Sequence, residues 1–407
     1  MPGPLSHIRV LDLSRVLAGP WAAQNMADLG AEVIKIERPA SGDDARAFGP
    51  PWIKDAQGRD TSDSAYFTSA NRGKKSVTLN IAAPEGQQIV RELARLSDVL
   101  IENFKYGDLA RYGLGYEDLR AVNERLIYCS ITGFGHTGPY RERPGYDFMI
   151  QGMGGMMSVT GEPDEAPGGG PQRAGVPIAD IITGMYASIA ICAALAYRER
   201  SGSGQHLDLA LLDSQIALLA YQNTYYFAAG EAPRRIGNLH PNIVPYQPFR
   251  AADGEVILAC GNDNLYRKFC EAAGCPELAR DPRFETNGKR VENRAELTRL
   301  LAQVFAKRTK REWLELLEAA GVPNGPINNI AEVFEEPQVK ARGVRIELEH
   351  AAAGKVPLVA SPMRFSQTRI DYRQAPPVLG EHTEQVLRGL LGKDDAEIAR
   401  LRARGVI

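Results

Sequence analysis

The residue most suited to covalent chemistry is Asp180, which lies between a glycine-rich loop and a long apolar segment. The apolar segment predicts a buried helix whose first turn contains Asp180. Aspartate is a preferred N-cap residue, so capping alone could explain its position. The same position also suits a nucleophile, because the positive end of a helix dipole favours an ionised carboxylate and an ordinary aspartate pKa is about 3.9. Such a carboxylate would need no neighbouring base at pH 7.

A second group of residues is cationic and lies near the ends of predicted strands. Arg38 and Lys105 follow strands, Arg111 lies shortly after Lys105, and Arg72 and Lys75 come just before another strand. Ligands of open α/β sheets bind at the carboxyl ends of the strands, which suits Arg38 and Lys105, whereas Lys75 needs a more particular arrangement. Together these cations would suit a nucleotide with several phosphate charges. Taken singly, each fits an ordinary solvated surface better.

Signals for other cofactors and for metals are weak or missing. A Gly-x-Gly-x-x-Gly pattern occupies residues 133–138, but Pro139 and charged residues follow it where a dinucleotide fingerprint requires a helix. The six histidines and five cysteines show no metal-ligand spacing. The sequence therefore predicts no metal site, and it predicts buried free thiols in a reducing compartment.

Strand and helix patterns alternate over the first half of the chain. Strands are predicted at residues 7–13, 32–37, 76–79, 98–102, 126–131 and 205–210, and helices at 19–29 and 84–96. The first strand, helix and strand fit into about thirty residues, the size of a right-handed βαβ unit. This alternation predicts an α/β fold with a largely parallel sheet.

The chain is long enough for two domains, and its character changes near residue 230. A strand at 255–259 and helices at 265–273, 294–306 and 310–320 predict a smaller α+β domain. Short strands within 344–365 and a charged helical end from 381 follow it. We therefore predict a large domain at 1–225, completed by 330–407, and a small domain at 226–329.

Bulk properties exclude several classes of protein. The net charge of −2 gives no basic field for nucleic acid. The most apolar stretch, 181–197, is short for a membrane span and contains Thr183, Gly184 and Ser188, so it predicts a buried core helix. The first ten residues lack a signal-peptide pattern. We expect a soluble, cytoplasmic protein that binds neither nucleic acid nor membrane.

An ordered series of motifs resembles the class III CoA-transferases, the family of formyl-CoA transferase and carnitine CoA-transferase. The motifs are RVLAGP at 15–20, DLGAEVIKIE at 28–37, NRGKK at 71–75, ENF at 102–104, GYD at 145–147, Asp180, GND at 261–263, GVP at 321–323 and LGEHT at 379–383. Their common order over nearly the whole chain makes the resemblance specific. Segments 244–247 and 325–329 are most similar to the succinyl-CoA:glutarate type.

The resemblance implies a Rossmann-like large domain that binds CoA, a smaller domain, and an interlocked homodimer. It implies that Asp180 is the catalytic nucleophile and that Gly261 lies in a loop that stabilises oxyanions. Leu17 stands where formyl-CoA transferase has glutamine, which disfavours formyl or oxalyl substrates. The residues assigned to binding, including Arg72 from the basic cluster, are Val16, Leu17, Ala18, Arg38, Arg72, Lys75, Asn103, Phe104, Arg111, Arg143, Tyr146, Asp147 and Gly261.

The implied reaction transfers coenzyme A from an acyl-CoA to a carboxylic acid without a metal. Asp180 would pass through an anhydride and an aspartyl-CoA thioester, and the implied partners are succinyl-CoA and a dicarboxylate such as glutarate. Two alternatives stay open. An α-methylacyl-CoA racemase of the same fold would use histidine in a Gly-His-Asp motif, where this chain has Gly145-Tyr146-Asp147. A non-catalytic CoA-binding protein would need no nucleophile.

Overall fold

The computed structural model describes residues 2–370 and 372–407. The strands, numbered in chain order, are β1 (Arg9–Asp12), β2 (Glu32–Glu37), β3 (Trp52–Lys54), β4 (Asp60–Ser64), β5 (Lys74–Thr78), β6 (Val99–Glu102), β7 (Ile127–Thr132), β8 (His206–Ala210), β9 (Tyr246–Arg250), β10 (Glu255–Ala259), β11 (Asn324–Pro326), β12 (Arg345–His350) and β13 (Gly354–Val359). The α-helices are α1 (Ala18–Asp28), α2 (Ala65–Ser69), α3 (Pro84–Arg95), α4 (Tyr116–Arg120), α5 (Asp147–Met153), α6 (Met156–Val159), α7 (Ile178–Ser201), α8 (Leu211–Leu218), α9 (Tyr221–Ala229), α10 (Asp263–Ala273), α11 (Pro276–Arg280), α12 (Asn287–Glu292), α13 (Arg294–Phe305), α14 (Lys310–Ala319), α15 (Ile330–Glu335), α16 (Pro337–Ala341), α17 (Thr383–Leu391) and α18 (Asp395–Ala403).

The main sheet has six parallel strands in the order β5-β2-β1-β6-β7-β8. These are the strands predicted from the alternating patterns, and each end agrees with the prediction to within two residues. Counted along the chain, the order is 3-2-1-4-5-6, which is the order of doubly wound nucleotide-binding folds. The order reverses between β1 and β6, so a crevice is expected beyond the carboxyl ends of these two strands.

Both faces of the main sheet are buried, which explains the nearly continuous apolar strands. Consecutive residues of a strand point to opposite faces, so Val10 joins one hydrophobic core and Leu11 the other. The first core contains residues of α1 and α7, and the second contains residues of α3, α17 and α18. The apolar sequences of these strands therefore reflect two hydrophobic cores, one on each face of the main sheet.

Helix α7 confirms the prediction of a core helix, although only one of its faces is buried. Ala179, Thr183, Ala187 and Ile191 recur every four residues on the buried face. Gly184 lies so close to α1 that a Cβ atom there would be 2.6 Å from the backbone oxygen of Ala18. By length and composition alone, α7 is the one helix among the described residues that could cross a membrane.

The opposite face of α7 is exposed and carries Cys192. The prediction that all cysteine thiols are buried is therefore wrong for Cys192, whereas the other four cysteines are buried. The error arose because an apolar sequence does not reveal which face of a helix meets the core.

The chain divides into two compact units. The large unit comprises residues 1–156, 174–229 and 338–407, and the small unit comprises 157–173 and 230–337. The C-terminal segment completes the large unit beside β5, where the His382 N–H donates to the Ser76 carbonyl (2.9 Å). Residues 157–173, which the sequence analysis grouped with the large domain, belong to the small unit; the Gly237 N–H donates to the Gly161 carbonyl (3.1 Å) within it.

The small unit contains a three-stranded antiparallel sheet in the order β11-β10-β9. Its core is aromatic: the Phe305 ring stacks on Phe249 at 4.7 Å and on Trp313 at 4.4 Å. The buried Arg290 guanidinium donates to the Val244 carbonyl (2.7 Å) and ties the entry segment of this unit to its helices. The unit therefore has a core of its own.

Candidate active site

The site begins at two loops that leave β1 and β6 at their carboxyl ends. The Asn103 side chain joins them, because its Oδ1 accepts from the Arg15 N–H (2.8 Å) and its Nδ2 donates to the Arg15 carbonyl (2.7 Å). The Arg15 guanidinium also lies over the Phe104 ring, 4.8 Å from its centre. The crevice expected from the strand order therefore has a fixed rim.

A cavity of about 230 Å³ opens at this rim within the large unit. It brings together nine of the residues assigned from the sequence: Val16, Leu17, Ala18, Asn103, Phe104, Arg143, Tyr146, Asp147 and Asp180. Lys105, Tyr106, Asp108 and Arg141 also line it. The crevice geometry explains why residues far apart in sequence meet here.

Val16 is held in a strained backbone conformation at the cavity wall. Its φ is +68°, in the left-handed region that a β-branched residue rarely adopts. The Asp43 carboxylate accepts from the Val16 N–H (3.0 Å) and is itself paired with the fully buried Lys35 (2.8 Å). Burial would raise the pKa of Asp43, but Lys35 lowers it, so Asp43 is a carboxylate that keeps this loop in place.

Asp180 is the third residue of α7 and is not its N-cap, since Pro177 occupies that position without a side-chain cap. Asp147 supplies the missing cap: its Oδ1 accepts from the N–H groups of Ala179 (2.8 Å) and Asp180 (3.3 Å). Gln151 holds the other oxygen of Asp147 at 2.7 Å. The Asp180 side chain is therefore not needed to cap the helix.

The expectation that Asp180 has an ordinary aspartate pKa, and is therefore fully ionised at pH 7, is wrong. Burial, together with the nearby Asp147 carboxylate, raises the pKa of Asp180 to about 7. These effects outweigh the helix dipole, which contributes only about 0.3–1 kcal/mol at exposed sites. Asp180 therefore changes its charge near neutral pH, and its carboxylate is more basic and more nucleophilic than that of an ordinary aspartate.

The segment 143–147 packs closely against the end of β7, because Gly145 contacts Gly133. A Cβ atom on Gly133 would lie 2.5 Å from Gly145 Cα, and one on Gly145 would lie 2.2 Å from Gly133 Cα. Neither position can accept a larger residue without a shift of the backbone. This contact fixes the start of α5 and with it Asp147.

A second cavity of about 210 Å³ in the large unit contains Arg38. It shares Arg15 and Phe104 with the first cavity, and residues 79–82, which follow β5, line it. Residues 79–82 were not among the predicted site residues, although their position after a predicted strand was a usable signal. Tyr66 was not predicted either; its pKa is raised to about 12 by burial and by the negative charges of Asp180 and Asp147.

The remaining assigned residues lie elsewhere. Arg72 is buried and paired with Asp28 (2.5 Å), and Lys75 pairs with Glu32 (2.7 Å) at the amino end of the sheet. These two residues do not line the cavity, because the cavity lies at the opposite, carboxyl ends of the strands. Arg111 is exposed and pairs with Asp108.

Gly261 lies in the small unit, just after β10, and its N–H donates to the Ala259 carbonyl (3.2 Å). Among the described residues, no group of three histidine, cysteine, aspartate or glutamate side chains is arranged to hold a metal.

The fold and the site define a CoA-transferase: residues 5–383 match the model of CoA-transferase family III, and the chain belongs to that family. The chain is similar to succinate–glutarate CoA-transferase of Agrobacterium fabrum, with 51% identity over 95% of this chain and 96% of that protein. It is 42% identical to human succinyl-CoA:glutarate CoA-transferase over 99% of this chain and 90% of the human protein.

Among solved structures, a CAIB/BAIF family protein from Brucella suis superimposes with a TM-score of 0.85. The two chains are 50% identical, and the match covers 96% of this chain and 100% of the other. The family match excludes a purely CoA-binding role. The racemase alternative also lacks support in the geometry, because Tyr146 replaces its histidine and Asp147 is engaged at the N-terminus of α7.

Proposed function

We propose that the protein transfers CoA from succinyl-CoA to a dicarboxylate such as glutarate. The relatives with 42% and 51% identity carry that activity in their names and align over nearly the whole chain. The observation that carries the proposal is the carboxylate of Asp180, partly buried in a cavity at the switch point of the sheet and free of any capping role. A carboxylate so situated can act as the covalent nucleophile.

The proposed reaction proceeds in four exchanges at Asp180. Its carboxylate attacks the acyl carbon of succinyl-CoA, which gives an aspartyl anhydride and CoA thiolate. The thiolate attacks the aspartyl carbonyl, releases succinate and leaves an aspartyl-CoA thioester. The glutarate carboxylate attacks this thioester and releases the thiolate, which then takes the glutaryl group from the second anhydride and frees Asp180. Water must be excluded from both anhydrides.

The two cavities of the large unit suggest how CoA is held. We propose that the nucleotide end binds beside Arg38 and residues 79–82, and that the pantetheine passes the rim formed by Arg15 and Phe104. Both rim residues line both cavities, which supports a ligand that runs from one cavity to the other. Gly261 is proposed to donate its backbone to a developing oxyanion, as the family resemblance implies.

The proposed function is tested by exchange between unlabelled succinyl-CoA and ¹³C-glutarate, followed by mass spectrometry. We expect labelled glutaryl-CoA and free succinate in equal amounts, without ATP. If labelled glutaryl-CoA does not form while other acids accept CoA, the substrate assignment is wrong. Incubation of a 2-methylacyl-CoA in D₂O checks the racemase alternative, for which fast deuteration at the α-carbon is required.

The pH dependence of the first half-reaction should report Asp180. Because the pKa of its carboxyl is about 7, the nucleophile is lost as the pH falls through 7. The Asp147→Asn variant keeps an oxygen for the cap but removes a negative charge, so the pKa of Asp180 should fall. We expect the acid limb of kcat/KM for acyl-CoA to lie near pH 7 and to move to lower pH in this variant.

Asp108→Asn is the matched control for this pH profile. Asp108 lines the same cavity but pairs with Arg111, and it is not among the charges that raise the pKa of Asp180. Its acid limb should coincide with that of the wild type. An acid limb that stays in place in Asp147→Asn would show that the Asp147 charge does not tune the nucleophile.

We further propose a cytoplasmic homodimer. Large apolar side chains are exposed in the large unit at Met185 and Ile189 of α7 and at Tyr226 and Phe227 of α9. Exposed large apolar side chains that form a patch are typical of interfaces between chains. Light scattering should give twice the mass of one chain, and a monomer at micromolar concentration would contradict this proposal.

A further inference from the structure

The cavity that contains Asp180 holds an arginine whose charge is unmatched. Three arginines line this cavity: Arg15, Arg141 and Arg143. Arg15 pairs with Asp44 (3.3 Å), and Arg141 pairs with Glu142 (3.6 Å). In the part of the chain that the structure describes, no carboxylate lies within ion-pair distance of the Arg143 guanidinium.

Two aromatic rings hold Arg143 in position. The centre of its guanidinium lies 4.5 Å from the ring centre of Tyr140 and 5.4 Å from that of Phe134. A guanidinium can stack on aromatic rings through its planar face. In such stacking the N–H groups at the guanidinium edge can bind a carboxylate through two parallel hydrogen bonds.

Arg143 also lies within reach of the reaction centre. Arg143 is four residues from Asp147, so the Cα atoms of Arg143 and Asp147 are at most about 14 Å apart. The Asp147 carboxylate in turn accepts from the Asp180 N–H. The contact of Gly133 with Gly145 fixes the segment between them. Because Arg143 and Asp180 line the same cavity, a dicarboxylate whose first carboxylate attacks at Asp180 could direct its second carboxylate to Arg143.

We propose that Arg143 binds the distal carboxylate of the dicarboxylate substrate, both in the acceptor acid and in the succinyl group of the donor. This inference rests on the proposed function and names the residue that gives it its substrate class. The acid brings two negative charges into a cavity that already holds Asp180 and Asp147. An arginine without an acidic partner offsets part of this negative charge at the carboxylate that does not react. Lys105 is the other cation of the cavity without an acidic partner among the described residues, and it follows the proposed CoA-binding rim at Phe104.

The test compares glutarate with valerate, a monocarboxylate of equal carbon number, as CoA acceptor or as competitive inhibitor of exchange between succinyl-CoA and labelled succinate. In Arg143→Gln we expect kcat/KM for glutarate to fall, or its inhibition constant to rise, by about 10- to 100-fold. This is the effect of losing a charge-assisted hydrogen-bonded pair. The values for valerate should not change. Arg143→Lys should restore part of the loss, because it returns the charge but not the paired N–H groups.

Binding of free CoA, measured by calorimetry, separates Arg143 from the CoA site. The dissociation constant for CoA should be unchanged in Arg143→Gln and larger in Lys105→Met. Arg299→Gln, which removes an exposed arginine of the small unit that is paired with Glu296, is the control for loss of one positive charge.

Two results would overturn the assignment of Arg143 in an enzyme that still exchanges succinyl-CoA with glutarate. One is an unchanged preference for glutarate over valerate in Arg143→Gln. The other is weaker binding of free CoA in that variant, which would assign Arg143 to the phosphates. If the wild type transfers no CoA between dicarboxylates, the proposed substrate class fails first and the role of Arg143 fails with it.

Discussion

Asp180→Asn should lose CoA exchange and at the same time become more stable than the wild type above pH 7. Loss of a covalent nucleophile lowers kcat by at least ~10⁴-fold in enzymes where its removal has been quantified. The gain in stability follows from the raised pKa. Asp180 has a pKa of about 7 in the fold, against an ordinary value of 3.8, so its ionised form is disfavoured by the folded chain.

The size of this stability effect depends on pH, and its sign is the same throughout. Below pH 3.8 the carboxyl is protonated in both the folded and the unfolded chain, and it costs nothing. The cost grows as the pH rises from 3.8 to 7 and is constant above 7. A fully enclosed carboxylate with this shift would cost about 4 kcal/mol, and partly buried Asp180 should cost less. The melting temperature of Asp180→Asn should therefore exceed that of the wild type by an amount that increases over this window.

Asp213→Asn is the control for Asp180→Asn. Asp213 lies in the first turn of α8, as Asp180 does in α7, but it is exposed. Its replacement should change neither exchange nor the pH dependence of stability. Full-rate exchange by Asp180→Asn would remove the covalent mechanism, and equal melting temperatures at pH 8 would show that the carboxylate is well solvated in the fold.

Lys74→Met should destabilise the protein by about 3–5 kcal/mol, the usual cost of leaving a buried charge without its partner. The Lys74 ammonium is fully buried and donates to Asp12 (2.9 Å), to the Pro20 carbonyl (2.9 Å) and to Asn71 (2.9 Å). Burial lowers the pKa of Lys74 to about 8, whereas Lys74 and Lys35 keep the pKa of Asp12 low in spite of burial. In the variant only Lys35 and Ser14 would still offset the burial of Asp12, so the Asp12 carboxyl would be left without its main partner.

Lys75→Met provides the matched control for Lys74→Met on the same strand. Lys75 is partly exposed and pairs with partly exposed Glu32, an arrangement that contributes only about 0–1 kcal/mol. Urea denaturation at pH 7 should show a large loss for Lys74→Met and little for Lys75→Met. The double variant Lys74→Met, Asp12→Asn should lose less than the sum of its two single variants, because no charge is left unpaired. Equal losses for the two lysine variants would contradict this account.

Local patterns were sufficient for most of the fold. The strands of the main sheet were predictable because both sheet faces are buried, so each strand is apolar and bounded by turns. The helix α7 was predictable for a similar reason. Which of its faces meets the core was not, because that depends on contacts with α1 and β7 that the sequence does not state.

The sequence by itself determined the order of strands and helices, the position of Asp180 beside the glycine-rich loop, and the family to which the chain is similar. Only the tertiary structure decided what the charged residues do. Neighbouring residues of a strand point to opposite sides, so Lys74 enters the buried ion pair with Asp12 and Lys75 pairs at the edge with Glu32. Likewise, the pKa of Asp180 depends on burial and on Asp147, 33 residues away. Periodicity is a local property of the chain, whereas desolvation and charge pairing depend on which distant residues the fold brings together.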